Sequence, residues 1–355
     1  MDRFAQELLK WFANHGRKDL PWQHPINAYR VWVSEIMLQQ TQVKTVIPYF
    51  NRFIKAFPDI KVLADAPLDT VLHYWSGLGF YRRAHFLHQA AKQIHSQYHG
   101  KFPTTLHDWL AIPGVGRSTA AAIMSIVYEQ PTAILDGNVK RVLSRYHAID
   151  GKPNAATTIN TLWQYADDHM PRTQCRQYTQ AIMDLGATVC TRRHPDCNRC
   201  PVKSSCKAYQ SGDPSQYPAS KMTQPLPEQT QDFLAIQSGS FILLQQRDNQ
   251  GIWPGLWSFP LCEVNAQQYF FTTWLPGTPY TVHKHSEKIR HTFSHYHLNM
   301  RITQVALKPS SQSMPPVALA TPSMLWYNME IQQPSLGIAA PICAWITRKH
   351  PTHKA

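Results

Sequence analysis

Two hydrophobic periods share this 355-residue chain, and a proline-rich stretch divides them. Up to about residue 206 the apolar residues recur at helical spacing, as at Phe4, Leu8, Trp11 and Phe12. The runs Ala28 to Leu38, Val43 to Phe57 and Arg83 to Tyr98 predict helices with short polar or Gly/Pro breaks between them. Later the period falls to two: "HLNMRIT" alternates Leu298, Met300 and Ile302 with His297, Asn299, Arg301 and Thr303, and "FLAIQSGSFILLQQR" predicts a hairpin. Between them lie Pro214, Pro218, Pro225 and Pro227 among Ser and Gln, which suits an extended connector. The chain therefore reads as an all-α domain over residues 1–207, a connector over 208–231 and an α+β domain over 232–355. Each domain is long enough to bury its own core.

Lys and Arg outnumber Asp and Glu by 35 to 22, a formal charge of +13, and 11 Trp and 15 Tyr are available for stacking. Such a surface favours a polyanion, although charge alone does not separate a nucleic-acid binder from a merely basic protein. No stretch offers the roughly 18 unbroken apolar residues of a membrane span, and the N-terminus lacks the apolar block of a signal peptide. A soluble, cytoplasmic monomer with no membrane partner is expected.

Cys190, Cys197, Cys200 and Cys206 lie within "CTRRHPDCNRCPVKSSC". A reducing cytoplasm disfavours disulfides there. One close pair flanked by two wider gaps leaves structural zinc and an iron-sulfur cluster both open.

Four other segments carry chemistry-bearing residues. "IPGVGRSTAAAI" sets Gly114 and Gly116 between two helical patterns, where the main chain can approach a phosphate and the next helix offers free amides; a plain tight turn has the same look. In "ILDGNVKRVLSR", Asp136 precedes a helix bearing Lys140 and Arg141, and a simple capping role is the alternative. "VWVSEIMLQQTQV" puts Glu35 among apolar residues, where ionisation is costly and a proton is retained, unless it faces solvent. "WSGLGFYRRA" offers Phe80, Tyr81 and two arginines at a glycine turn, suited to wedging between bases or to simple burial.

Taken in order, Pro21-Trp22, SEIMLQQTQV, WSGLGFY, GVGRSTA, LDGNVKR, "MDLGATVC" and the four-cysteine loop resemble the endonuclease III superfamily of helix-hairpin-helix DNA glycosylases over residues 17–206. The continuation through "GIWPGLWSFP" and "RHTFSHYHL" is similar to the A/G-specific adenine DNA glycosylases, with a Nudix-like second domain. The resemblance implies one 4Fe-4S cluster on Cys190, Cys197, Cys200 and Cys206, organising a loop whose Arg192, Arg193, Arg199 and Lys203 touch phosphates.

The implied substrate is double-stranded DNA in which adenine is mispaired with 8-oxoguanine or guanine. Glu35 corresponds to the acid that protonates the extruded adenine, and Asp136 to the carboxylate beneath the sugar. Trp22, Asn138 and Gln180 fall at the base pocket; Gln40, Thr41, Leu78, Phe80, Gly114, Gly116 and Lys140 fall at the DNA, as do Phe293, Ser294 and His295, the last three at the loop that reads 8-oxoguanine. At Phe80 the family usually has Tyr, so any hydrogen bond from that hydroxyl is lost. Ser118, also at the base pocket, stands where strand-nicking relatives carry a nucleophilic Lys, which implies a monofunctional enzyme. Glu263 is the sole carboxylate in "FPLCEVNAQQYFFTTWL", so metal-dependent Nudix hydrolysis is expected to be absent. Rival readings are a bifunctional pyrimidine-lesion glycosylase and AP lyase, disfavoured by Ser118 and the second domain, and an inert DNA-binding scaffold, disfavoured by the two carboxylates. Replication or repair proteins are further expected partners.

Overall fold

The computed structural model describes residues 1–219, 225–248, 250–262, 267–283, 286–308, 323–330 and 336–349; Glu263 lies outside them. Its first twelve helices are α1 (Arg3–His15), α2 (Ala28–Leu38), α3 (Val43–Ala56), α4 (Ile60–Asp65), α5 (Leu68–Trp75), α6 (Arg82–Gln97), α7 (Leu106–Leu110), α8 (Arg117–Tyr128), α9 (Gly137–His147), α10 (Ala156–His169), α11 (Cys175–Asp184) and α12 (Lys207–Gln210). A π-helical turn, Leu185–Val189, follows α11. The chain packs as two compact units, Met1–Asp65 with Phe86–Thr223 and Ala66–His85 with Gln224–Ala355. Segment 66–85, helical by its hydrophobic period, thus belongs by packing to the strand-bearing unit.

In the first unit α2 is apolar almost all round, and such a helix must be buried. Val31, Trp32, Val33, Ile36 and Met37 are each at most 2 % exposed. Burying each of these large side chains contributes about 1.5–3 kcal/mol. The Asn27 side chain starts the helix by accepting the Arg30 amide at 2.9 Å. On α8 the small residues Ala120, Ala121, Ala122 and Ser125 are buried and allow close approach to α2 and α11. Ser125 Oγ donates to the Cys175 carbonyl at 2.9 Å, closing the α8–α11 seam. The connector is partly folded rather than extended: it holds most of α12 and a 3₁₀ turn at Pro214–Gln216. Arg145 Nε donates to the Tyr217 carbonyl at 2.9 Å, which anchors it.

The second unit contains β1 (Glu228–Ser238), β2 (Phe241–Gln246), β3 (Trp257–Ser258), α13 (Gln267–Trp274), β4 (Tyr280–Val282), β5 (Glu287–Thr292), β6 (His297–Leu307), β7 (Met324–Asn328) and α14 (Ala340–Lys349). The sheet runs β3-β2-β1-β6-β4, with β5 also on β6 and β7 on β2. β1 and β2 form the expected hairpin through Gly239, whose φ of +56° suits glycine. β1 lies parallel to β6, with Phe233 opposite Ile302. Being central, β1 reads as a continuous buried run from Phe233 to Ile236 rather than as an alternation. β6 keeps the predicted alternation, with Leu298, Met300 and Ile302 fully buried. The sequence of α13, QQYFFTTW, has no carboxylate.

Candidate active site

Glu35 sits on α2 with Ser34 and Ile36 buried to either side. The residue as a whole is half-buried. Burial first, and the charge of Asp136 second, push its pKa up to about 8. Both effects disfavour the ionised form, so near neutrality the group holds its proton.

Asp136 caps α9, its Oδ1 accepting the Val139 amide at 2.7 Å. Burial raises its pKa as well, while the amides of Val139 and Asn138 and the charges of Arg141 and Lys140 pull it back. Within the Asp-Gly-Asn turn Gly137 is exposed while Asp136 and Asn138 are half-buried. Just before it, Ile134 and Leu135 are each 4 % exposed, and the Leu135 amide donates to Ser118 Oγ at 3.1 Å. The two carboxylates therefore differ in what opposes burial. Among the described residues nothing lowers the Glu35 pKa, whereas Asp136 has two amides and two cations, so Asp136 ionises first.

α9 links this turn to the cysteine loop. Arg141 Nη2 donates to Asn138 Oδ1 at 2.9 Å and to the Gly186 carbonyl at 2.6 Å, and its Nε to the Cys190 carbonyl at 2.7 Å. A Cβ at Gly186 would stand 2.7 Å from that of Asn138, so glycine is required at this point of the π-turn. One turn further on, Arg145 is 2 % exposed and donates to Cys190 Sγ at 3.3 Å and to the carbonyls of Thr191 at 2.7 Å and Arg192 at 3.0 Å. Cys190, Cys197, Cys200 and Cys206 are all free thiols and line one cavity together with Arg145, Val189, Pro195, Tyr209 and Pro214. Among the described residues no three Cys, His, Asp or Glu side chains are grouped as a site for one metal ion.

At the base-pocket positions, the buried Trp22 ring meets Phe50 edge-on at 5.4 Å. Gln23 Nε2 donates to Gln180 Oε1 at 3.4 Å, which ties the 3₁₀ turn Pro21–Gln23 to α11. Asp184, 1 % exposed, accepts the Arg17 amide at 2.7 Å and Arg17 Nε at 2.9 Å. Asp184 belongs to the "MDLGATVC" motif, but its partner Arg17, 167 residues away, is visible only in the structure.

A family model described as HhH-GPD superfamily base excision DNA repair protein matches residues 33–167, and a NUDIX domain model matches residues 233–347. An adenine DNA glycosylase of Buchnera aphidicola subsp. Baizongia pistaciae (strain Bp) is 37% identical over 355 residues, covering 99% of this chain and 98% of its own. This chain belongs to the adenine DNA glycosylase family. An adenine DNA glycosylase of Homo sapiens is 32% identical over 389 residues, covering 92% of this chain and 70% of its own. Among solved structures, that of a thermostable thymine-DNA glycosylase is similar with a TM-score of 0.54 at 27% identity, over 59% of this chain and 95% of that one.

For a member of this family the candidate DNA-facing residues divide between the units. In the first, Gln40 is exposed at φ +57° in the turn between α2 and α3, followed by the half-buried Thr41, whose amide donates to the Leu38 carbonyl at 3.1 Å. Gly114 needs its φ of +77°, and a Cβ there would stand 2.7 Å from Phe86 Cβ. Around Gly116, the N-cap of α8, the space is open, which leaves its backbone approachable. Lys140 is half-buried on α9. In the second unit Phe80 is 43 % exposed at φ +49°, a left-handed backbone that costs a side-chain-bearing residue about 1–3 kcal/mol. Leu78, also expected at the DNA, is 6 % exposed. Ser294 and His295 are exposed at a turn closed by the Phe293 amide on the Tyr296 carbonyl at 2.9 Å.

Proposed function

We propose that this chain hydrolyses the N-glycosidic bond of adenine mispaired with 8-oxoguanine or guanine in duplex DNA, and that it does so without cutting the strand. A stacked adenine is out of reach, so the nucleotide is extruded into the pocket bordered by Trp22 and Gln180 at a cost of a few kcal/mol. The observation that carries the reading is the pairing of unlike carboxyls: Glu35, pushed up to about 8 on an apolar helix, beside Asp136 held by amides and cations. Glu35 gives its proton to a ring nitrogen of adenine, which turns a poor anionic leaving group into a neutral one. Asp136 faces the positive charge that develops on the deoxyribose and stabilises it. Asn138, held by Arg141, supports the turn. Position 118 is a serine and offers no amine for a Schiff base; its Oγ accepts the Leu135 amide.

Cys190, Cys197, Cys200 and Cys206 would hold a 4Fe-4S cluster. The fit is supported by four free thiols lining one cavity and by the Arg145 donation to Cys190 Sγ, and a cluster spreads its ligands over several irons where one zinc would draw them to a point. When bound, the cluster ties the loop bearing the exposed Arg192, Arg193 and Arg199 into one shape against the DNA backbone. Phe293, Ser294 and His295 read the base opposite adenine. Replication or repair proteins dock on the connector.

A single-turnover assay on a duplex with one adenine opposite 8-oxoguanine tests this reading. Base loss that exposes an alkali-labile site without direct strand cleavage is the expected result. Direct nicking coupled to base loss, or binding with no release of adenine, would overturn it.

A further inference from the structure

The second unit contains two loops with separate duties under the proposed reading, the wedge turn ending at Phe80 and the turn Phe293–His295. The structure joins them by a short set of contacts.

The wedge turn is tied to the start of α6. Trp75 Nε1 and Arg83 Nη2 both donate to the Gly79 carbonyl, at 3.0 Å and 3.2 Å, and the Arg83 amide donates to the Phe80 carbonyl at 2.9 Å. The guanidinium of Arg83 also lies 5.3 Å from the centre of the Phe80 ring and 5.4 Å from that of Trp75. Two residues later, His85 Nε2 lies 3.0 Å from the Pro254 carbonyl oxygen. A carbonyl only accepts, so this bond fixes a protonated Nε2 as donor. The imidazole rests on Gly255, where a Cβ would come within 2.9 Å of it, and Gly255 has φ +70°.

Beside Pro254, Trp253 is 3 % exposed with its backbone left-handed at φ +50°. An L-residue adopts that conformation at a cost, and it persists where the surroundings impose it. Here the indole packs 5.9 Å from the Phe293 ring and 5.7 Å from His291, with His291 edge-on to Phe293 at 4.6 Å and Phe293 stacked on Tyr296 at 4.9 Å. Phe293 is thereby pinned from two sides while Ser294 and His295 stay exposed. Separately, Trp257 Nε1 donates to Asp69 Oδ1 at 3.1 Å and Ser76 Oγ donates to the Ile338 carbonyl at 3.1 Å, so the segment before the wedge turn is also fastened to this unit.

We infer that His85 and Trp253 are positioning residues for discrimination of the opposite base, locking the Phe80 turn and the Phe293–His295 turn into one rigid reading surface. The inference rests on the proposed lesion-reading role of the second loop. Neither residue touches the reacting atoms; each sets where a contacting residue stands, and displacement of such a residue by about 1 Å can cost a hundredfold in rate.

The experiment compares single-turnover excision from duplexes with adenine opposite 8-oxoguanine and opposite guanine, using the full chain and its His85→Ala, Trp253→Leu, Trp253→Phe and Ser294→Ala variants. For His85→Ala and Trp253→Leu the preference for the 8-oxoguanine duplex should shrink about tenfold or more while the guanine duplex is cleaved within twofold of the parent rate. Trp253→Phe, which keeps an aromatic ring on Phe293, should recover most of the preference. A uniform slowing on both duplexes, or an unchanged preference, overturns the inference. His85→Ala leaves the core intact, so it decides the matter should Trp253→Leu fail to fold. If Ser294→Ala lowers the preference while His85→Ala does not, the coupling fails and the lesion-reading loop stands; if the parent has no preference at all, both fall.

Discussion

Ser118 Oγ accepts the Leu135 amide at 3.1 Å, one residue before Asp136. The side chain at the position where strand-nicking relatives carry an amine thus braces the turn that bears the second carboxylate. Ser118→Ala should leave that partly buried amide unpaired, at a cost of about 1 kcal/mol, and slow excision a few-fold. Ser118→Lys should gain a borohydride-trappable adduct with DNA carrying an abasic site, read as a shifted band on a denaturing gel.

Arg141 is the joint between Asp136's helix and the cysteine loop. Arg141→Ala removes donors from the carbonyls of Gly186 and Cys190, which should lower unfolding free energy by about 1–3 kcal/mol in a denaturant titration. Excision should slow as well, because Asn138 loses its partner and Asp136 loses a nearby cation. Unchanged stability together with an unchanged rate would show that this joint carries no strain between the two sites.

Gly114 and Gly116, in the turn before α8, should respond differently to alanine. Gly114→Ala places a Cβ 2.7 Å from Phe86 Cβ in a left-handed backbone, so a loss of about 1–3 kcal/mol in stability is expected. Gly116→Ala meets nothing within 4 Å, so the protein should fold as before and any defect should appear in DNA affinity, measured by fluorescence anisotropy.

Much of this site is legible in the amino-acid order. Glu35 is flagged because its helix is apolar nearly all round, where ionising a carboxylate is costly. The period of two in β6 places Leu298, Met300 and Ile302 in the core without any tertiary information. Other features are hidden because they depend on distant partners. Arg141 and Arg145 look like solvated charges on an amphipathic helix, and only the carbonyls of Gly186 and Thr191, 45 and 46 residues away in the segment after α11, make them internal ties. The packing of segment 66–85 with the strand-bearing unit rests on pairs such as His85 with Pro254, 169 residues apart.

The pH profile follows from the two carboxyls. Excision should rise with pH as Asp136 ionises and fall as pH passes about 8 and Glu35 loses its proton, giving a bell-shaped curve under single-turnover conditions. Stability carries a linked signature. Because the folded state holds Glu35's proton more tightly than the unfolded chain does, the stability tied to this group is full below about 4.5 and declines as pH rises towards 8. Glu35→Gln should flatten that decline and make the protein more stable than the parent above pH 8, measured by thermal unfolding across the range.

The most direct measurement is the single-turnover rate of Glu35→Gln near pH 7 on a duplex with adenine opposite 8-oxoguanine, with DNA affinity determined in parallel. Loss of the proton donor should slow excision by about a hundredfold or more while binding is retained. A rate within twofold of the parent would contradict the assignment of Glu35 as the acid.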